Sequence, residues 1–538
     1  MTEMLHDGLN NEKFVVIERT STAEYPQAPP FSPHENYPEN HFGEVGTHRN
    51  VVYEAVRSCF RASGLDSDNY GRPEWNPLRG LILPGQTVLL KPNLVKELHP
   101  RDPDGWQYVL THGSVIRAVA DYVWKALQGK GKIVVADAPQ TDSSFAEIVR
   151  KLGLDQIESF YRSHGLDFSL VDLRKEEWIS KDDVILSRRA IPGDPAGCIP
   201  FDLGEASEFA GHAGAGNYYG ADYDAGVVNY HHSEGRHEYL IAGSAIDCDV
   251  IFSLPKLKTH KKAGITASLK NLVGINGDKN WLPHHTEGDP ATGGDEHPDS
   301  HGRHKTERAL VPYFNKLSLS MPGIGPWVHR HARRIGRHFF GDTDEVVRSG
   351  NWWGNDTVWR MSLDLNKIVL YGNRDGTMRE AVPENRKRHL VMVDGVIAGE
   401  GRGPLNPDPV RAGILIFGMH PASVDATCAY LMGFDPDRIP IVRQSFRCRH
   451  FPLAEWNWSD VSVISTQPEW NGLLKEIPEK STFHFKPHFG WVGHIERTYD
   501  REVSEDAAYA KSTGNQSSPQ FSASTSTSEI KDHFEVGR

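Results

Sequence analysis

The chain has 538 residues, with 59 Lys and Arg against 71 Asp and Glu and a formal net charge of -12. That balance excludes nucleic-acid binding by bulk electrostatics, so any affinity for anions must come from a local cluster of cations. The length leaves room for a sizeable core and two or three domains, while a hydrophobic fraction of 38%, low for a compact enzyme of this size, fits long polar loops and a disordered tail.

Residues 1–14 carry neither a basic nor an apolar signal region, and no apolar run approaches the roughly 20 residues of a spanning helix. A cytoplasmic protein without a transmembrane segment is expected. Residues 14–17 (FVVI) read as a first strand, followed to residue 46 by a loop rich in Pro and aromatics. Val51, Ala55, Val56, Cys59 and Phe60 recur at helical spacing in 50–62, and Gly64 is a fitting stop. Strands are predicted at 86–90, ending in Lys91, Pro92 and Asn93, at 133–136, ending in Asp137, and at 170–173. Helices at 114–127, with Thr111 or Ser114 as cap, and at 144–152 lie between them. The alternation predicts an α/β fold: mostly parallel sheets with crossover helices, in two lobes around a cleft, with long loop insertions.

Residues 188–238, rich in Gly, Tyr, Asp and His, show no period and read as a long excursion. The stretch at 249–280, DVIFSLPKLKTHKKAGITASLKNLVGINGDKN, then changes the character of the chain. An apolar run at 250–254 has the length and flanks of a buried strand; Lys256, Lys258, His260, Lys261 and Lys262 follow it, and Lys270 and Asn271 come after a short apolar segment. Residues 282–304 are Gly-, Pro- and Asp-rich with five His. In 326–340, Val328, Ala332, Ile335 and Phe339 form a narrow apolar stripe, suited to a helix docked on its own protein and less well to peripheral membrane contact. A helix is expected in 351–370, strands at 389–393, 413–417 and 461–464, and a helix at 423–431. From residue 507 the chain is too polar to offset its ordering entropy, so disorder is expected. The expected division is a lead-in at 1–80, a first lobe at 81–280, an insertion at 281–375, a second α/β part at 376–500 and a tail at 505–538.

Five predicted strands end in chemically capable residues: Lys91 with Asn93, Asp137, Lys256, Asp394 and His420. Ligands of open α/β sheets bind at the carboxyl ends of the strands, so parallel neighbours would bring these side chains to one crevice. Lys91, Asn93, Asp137, Lys256, Lys258, Lys270 and Asn271 form the candidate substrate-binding set, with Lys256→Ala and Lys270→Ala expected to spare the fold and abolish binding. His260 is a candidate acid/base, because only His titrates unperturbed near neutrality; a hydrogen-bonded structural His reads equally well. Asp394 and Glu400, on a segment with Gly399, Gly401 and Gly403, suit a paired acid and base or the ligands of a divalent cation; turn formation is the alternative for Asp394. Asp425 reads as structural in the first turn of its helix, and His112 with Ser114 as a helix cap, since no G-x-S-x-G elbow accompanies them. His284, His285, His297 and His301, with His304, Asp295 and Glu296, have spacing that suits a divalent metal, although a polar lid is the preferred reading. Cys59, Cys198, Cys248, Cys428 and Cys448 are scattered without a C-x-x-C pair, so no iron–sulfur cluster, zinc ribbon or disulfide framework is expected.

KPNLV at 91–95, DAP at 137–139, PKLKTH at 255–260, ITASLKNLVGINGDK at 265–279, VDGVIAGEGRGP at 393–404 and HPASVDATCAYLMGFDP at 420–436 follow one another in a recognisable order. Over about 15–446 the chain resembles the bacterial and archaeal domain-of-unknown-function 362 family. Many members carry ferredoxin-type Cys motifs; this chain has none, so that electron-transfer role is not inherited. WLPHH at 281–285 and NWWGNDTVWR at 351–360 resemble a longer subgroup, which implies a link to polysaccharide or glycan-precursor metabolism. The resemblance supplies no reaction. The residues point to an enzyme acting by acid/base chemistry on a small anionic metabolite, a phosphorylated sugar or a carboxylate. The alternatives are a non-catalytic anion-binding or carrier protein, and an assembly factor docked through 326–340.

Overall fold

Short apolar runs bounded by Gly, Pro and polar residues build one twelve-stranded sheet in the computed structural model, which describes residues 11–181, 184–220, 223–299 and 346–497. Its strands are β1 (Phe14–Arg19), β2 (Thr87–Pro92), β3 (Lys132–Asp137), β4 (Phe168–Asp172), β5 (Val250–Leu254), β6 (Lys256–His260), β7 (Gly264–Thr266), β8 (Arg388–Glu400), β9 (Asp408–Val410), β10 (Ile414–Gly418), β11 (Ser462–Ser465) and β12 (Gly472–Leu473). The spatial order is β12-β11-β1-β10-β8-β5-β2-β3-β4, with β6 and β9 on the far part of β8 and β7 beside β6. From β8 to β4 the neighbours are all parallel, whereas β10 runs antiparallel to both β1 and β8. The α/β class is as the sequence implies. Strands from 81–280 and from 376–500 nevertheless join one continuous sheet, so the described residues do not divide into two lobes there.

Alternate strand residues point to opposite faces, and both faces are covered. Val88, Leu90, Phe252, Leu254, Met392 and Phe417 pack with α1 (Val51–Ala62) and α2 (Gly113–Leu127) into one core. The residues between them face the other way. Val391, Val393 and Ile416 enter a second core, and Leu89 and Ile251 a third; both are closed by α6 (Val358–Tyr371), the second also by α7 (Pro421–Leu431). Helices α3 (Phe145–Lys151) and α4 (Leu154–Ser163) complete the crossover from β3 to β4, and the short α5 (Ser268–Asn271) follows β7. Each core holds one buried thiol: Cys59 in the first, Cys428 in the second and Cys248 in the third.

Three local differences from expectation have clear causes. Helix α2 is capped by His112, whose Nδ1 accepts the Ser114 N–H at 3.2 Å, as the reading of His112 with Ser114 as a cap implies; neither Thr111 nor Ser114 is itself the cap. The excursion has structure: Glu176–Lys181 pairs with Val184–Ala190, Cys198–Asp202 with Glu238–Ala242, and Ala225–His231 is helical. It is tied to α6 by Asp364, which accepts hydrogen bonds from Tyr239 Oη and the Glu208 N–H, and by the Lys367–Glu208 ion pair. Strand β8 does not stop at Asp394, because Gly395 and Gly399 let it run on: a Cβ there would lie 2.8 Å from Ile414 Cγ1 and 2.9 Å from Pro407 Cβ. Residues 326–340 and the tail at 505–538 lie outside the described residues. No helix among the described residues is long and apolar enough to cross a membrane.

Candidate functional site

Strand register sets which of the expected residues meet. Lys91 lies opposite Ser253, Lys256 opposite Asp394, and Asp137 ends β3, so all four charged groups belong to the carboxyl edge of the parallel strands. His420 does not. It follows β10, whose Gly418 faces Val391 in antiparallel register, and so lies toward the opposite end of the sheet. There it caps α7 through Ala422 N–H and binds Leu453 O at 2.6 Å, while burial lowers its imidazole to about 3. Glu400 is also remote: six residues of strand separate it from Asp394, about 20 Å, so the two cannot act as a paired acid and base. Its carboxylate accepts the Lys486 N–H at 2.8 Å, and burial raises its pKa.

Two buried ion pairs consume much of the remaining set. Lys256 Nζ lies 2.6 Å from Asp394 Oδ2, with both side chains fully buried. The same ammonium donates to Tyr25 Oη (2.7 Å) and Gln107 O (2.8 Å), and the carboxylate accepts from Tyr25 Oη (2.6 Å) and the His112 N–H (2.9 Å). The Tyr25 ring stacks on His112 at 4.0 Å and closes the pair from solvent. Lys91 Nζ lies 2.8 Å from Asp137 Oδ1 and donates to Pro92 O; Asn271 Nδ2 donates to Lys91 O, and the Leu94 N–H to Asp137 Oδ2. Gly274 covers this pair so closely that a Cβ would stand 1.8 Å from Asp137 Oδ1. Lys91 shares the strand parity of Leu89 and Asp394 that of Met392, so the pairs occupy opposite faces of the sheet instead of one crevice. Burial depresses both lysines against the pull of their carboxylates. Lys91, Asp137, Lys256, Asp394 and Asn271 are thereby bound to partners inside the protein.

The cations without carboxylate partners lie farther along the 249–280 stretch. Lys258 is fully buried and donates to Val109 O at 2.6 Å; burial and the charges of Lys256 and Lys270 push its amine well below the usual lysine range. Lys270 has neither a hydrogen-bond nor an ion-pair partner among the described residues. Burial, and secondarily the Lys91 charge, brings it down to about 8. Lys279, which donates to Val273 O at 3.0 Å, is lowered to about 7, chiefly by burial.

Two neutral histidines share this neighbourhood, since each feels the charge of Lys270. His260 Nδ1 accepts the N–H groups of Lys262 (3.0 Å) and Ala263 (3.1 Å), which places its proton on Nε2. With burial holding it far below 6.5, His260 is a neutral hydrogen-bond donor and not the proton-transfer group expected. His284 is the reverse: its Nδ1 faces Leu282 O at 2.9 Å and donates, leaving a lone pair on Nε2. Burial, Lys262 and Lys270 keep that lone pair free of a proton. Thr266 stands directly opposite Lys258 in the β6–β7 pair and so shares its face. Thr266 Oγ1 and Ser268 Oγ are buried without hydrogen-bond partners among the described residues, as is Asn93 Oδ1.

Neighbouring helices fix where these groups stand. Asp425 of α7 accepts the N–H groups of Ser268 (2.7 Å) and Leu269 (3.0 Å), and Asn366 of α6 donates to Leu269 O at 2.9 Å. Asp425 is structural as expected, but it serves α5, the helix that carries Lys270, and not its own. The histidine-rich segment does not assemble a metal site among the described residues. Asp295 is taken up by the Thr286 and Asp356 N–H groups and the Thr357 hydroxyl. Lys262 Nζ stands 3.3 Å from His285 Nδ1, a cation where a metal would need to be, and His297 faces Glu296. His301 lies outside the described residues.

The family model described as "Domain of unknown function (DUF362)" matches residues 88–193 and 207–430, more than half of the chain. The chain belongs to the DUF362 family. No curated protein matches it. The crystal structure of a Thermotoga maritima structural-genomics target is similar at 11% identity, over 65% of this chain and 56% of that one, with a TM-score of 0.26. The chain thus spans 56% of that protein, in a superposition too loose to bear on the site.

The DUF362 segments of this chain divide by what their side chains do. KPN, the first Lys of PKLKTH and VDG build the two internal ion pairs. The glycines at 399–403 serve close packing on β6, since a Cβ on Gly403 would lie 1.9 Å from Thr259 O. The second Lys and the His of PKLKTH, with Thr266, Ser268, Lys270 and Lys279, keep hydrogen-bonding capacity to spare. Thr266, Ser268, Lys279 and the lone pair of His284 were missed from the sequence. Three of the four lie inside the 265–279 motif, which was the available signal.

Proposed function

We propose that this DUF362 protein is an enzyme that binds a small anionic metabolite, a phosphorylated sugar or a carboxylate, where β6, β7 and α5 meet the carboxyl edge of the parallel strands. The observation that carries the reading is Lys270: a partly buried lysine among other cations, with no counter-charge among the described residues. Lys258 and Lys279, whose amines burial depresses, add donors that gain charge as an anion arrives. Asp137, the carboxylate within reach, already faces Lys91 at 2.8 Å. Desolvation without a counter-charge lowers the Lys270 amine to about 8, and an incoming anion restores its preference for the charged form.

Proton transfer falls to His284, whose free Nε2 can accept a proton once the bound anion offsets the Lys262 and Lys270 charges that depress it, with His260 Nε2–H stabilising negative charge on the ligand without giving up its proton. Asp394 takes no part, because its two oxygens are occupied. A cytoplasmic setting and a place in glycan-precursor metabolism belong to the same proposal and rest on the sequence features described above.

Thermal melts against a panel of sugar phosphates and organic acids test it. At least one anion raises the melting temperature of the wild type, and Lys270→Ala abolishes the shift while melting near the wild-type temperature without ligand. A panel with no shift in the wild type overturns the reading. The second reading, a carrier, is favoured by the locked tautomer of His260. Nuclear magnetic resonance of the bound ligand separates the two: conversion marks an enzyme, and recovery unchanged marks a carrier.

A further inference from the structure

We infer that the anion seated at this edge presents a tetrahedral phosphoryl group, held by the amines of Lys258 and Lys270, the Nε2–H of His260 and the hydroxyls of Thr266 and Ser268. The inference rests on the anion-binding reading above and narrows it to one ligand chemistry.

Geometry brings the donors together. Lys258 and His260 stand two residues apart on β6 and share a face, and Thr266 joins that face by its register opposite Lys258. Ser268 and Lys270 follow on α5, whose backbone is held by Asp425 and Asn366. The hydroxyls of Thr266 and Ser268 are the second observation that points to a ligand. Both residues are more than nine-tenths buried, at 3% and 0% exposure, and neither hydroxyl has a partner among the described residues. Buried hydroxyls are nearly always hydrogen-bonded, so two orphans beside two lysines mark acceptors absent from the protein itself.

The donor chemistry favours phosphate over carboxylate. Planar carboxylates are matched by the guanidinium fork, and the seat contains none. Arg174, which adds to the field at Lys279, is committed to Asp172 and to the carbonyls of Gln140 and Ser143. Separate amines, one imidazole N–H and two hydroxyls are single-point donors without a planar fork, which suits the dispersed oxygens of a tetrahedral group. Charge agrees: a dianion supplies the counter-charge that Lys270 lacks and favours the protonated form of the depressed Lys258 amine. Binding it also returns protons to amines that burial has depressed, namely Lys270 near 8 and Lys279 near 7.

The test is titration calorimetry of the full chain with inorganic phosphate, sulfate and malonate at matched ionic strength. Sulfate is a tetrahedral dianion that does not itself titrate near neutrality, and malonate is a planar dicarboxylate of equal charge. Phosphate and sulfate are expected to bind at least about tenfold more tightly than malonate. In two buffers of different ionisation enthalpy near pH 7.5, sulfate binding is expected to take up on the order of one proton. Thr266→Val and Ser268→Ala should each weaken sulfate binding about tenfold, with unchanged circular dichroism and melting. Malonate binding as tightly as sulfate overturns the phosphoryl assignment and leaves the anion-binding reading standing. Hydroxyl variants that bind sulfate like the wild type overturn the seat. Failure of all three anions to bind overturns both.

Discussion

Lys256 and Lys270 belong to the same basic stretch, but what surrounds them gives them different work. The Lys256 ammonium is fully buried and meets Asp394, Tyr25 and Gln107 at 2.6–2.8 Å, so every donor has an acceptor. Removing one partner of such a pair strands the other charge. Lys256→Met should therefore cost about 3–5 kcal/mol, read as a lower urea midpoint, contrary to the expectation that the fold would be spared. Lys270→Ala should cost under about 1 kcal/mol, since it breaks no polar contact among the described residues. The pH dependence of binding follows from the same amine. Burial places Lys270 near 8, so it is charged below that pH and neutral above it. Sulfate affinity should hold below about pH 7 and fall at least about tenfold by about pH 9.5, measured by calorimetry; an affinity flat across that range would count against Lys270 as a ligand.

At the scale of elements, α5 is a single turn that could not stand alone, and its position is imposed by α6 and α7. Asp425 does so from a site where burial lifts its carboxyl to about 7, despite two N–H groups that favour the charged form. Its pKa in the unfolded chain is near 3.9. A raised folded-state pKa contributes stability that is complete below about pH 4 and lost as pH rises through about 7. Relative to Asp425→Asn, the wild type should thus lose about 3 kcal/mol between about pH 5 and about pH 8, measured by urea unfolding at both. The strands and most helices around α5 were legible in the sequence, because their apolar periods and end signals are local. Three things were not. The reversal of β10, which removes His420 from the site, depends on which strands pair. The continuation of β8 to Glu400 depends on glycines packed against Ile414 and Pro407, where a glycine-rich run reads as a turn. The diversion of Lys91, Lys256 and Asp394 into ion pairs depends on Tyr25, Asp137 and His112, each far from its partner in sequence.

For the whole molecule, the continuity of the sheet matters most, since it makes three cores share one set of strands. The first core is built on the face opposite to the second and third, and α6 spans those two. The three enclosed thiols carry this into kinetics. Cys59, Cys248 and Cys428 are at most 2% exposed, and burial raises the pKa of each. An alkylating reagent reaches none of them until its own compartment opens, which turns the three sulfur atoms into independent clocks within one chain. Pulsed iodoacetamide modification in moderate urea, followed by peptide mass spectrometry, should find all three clocks running at the same rate. A Cys428 that reacts well ahead of Cys59 would mean that the α7 side peels away from the sheet before the rest gives way.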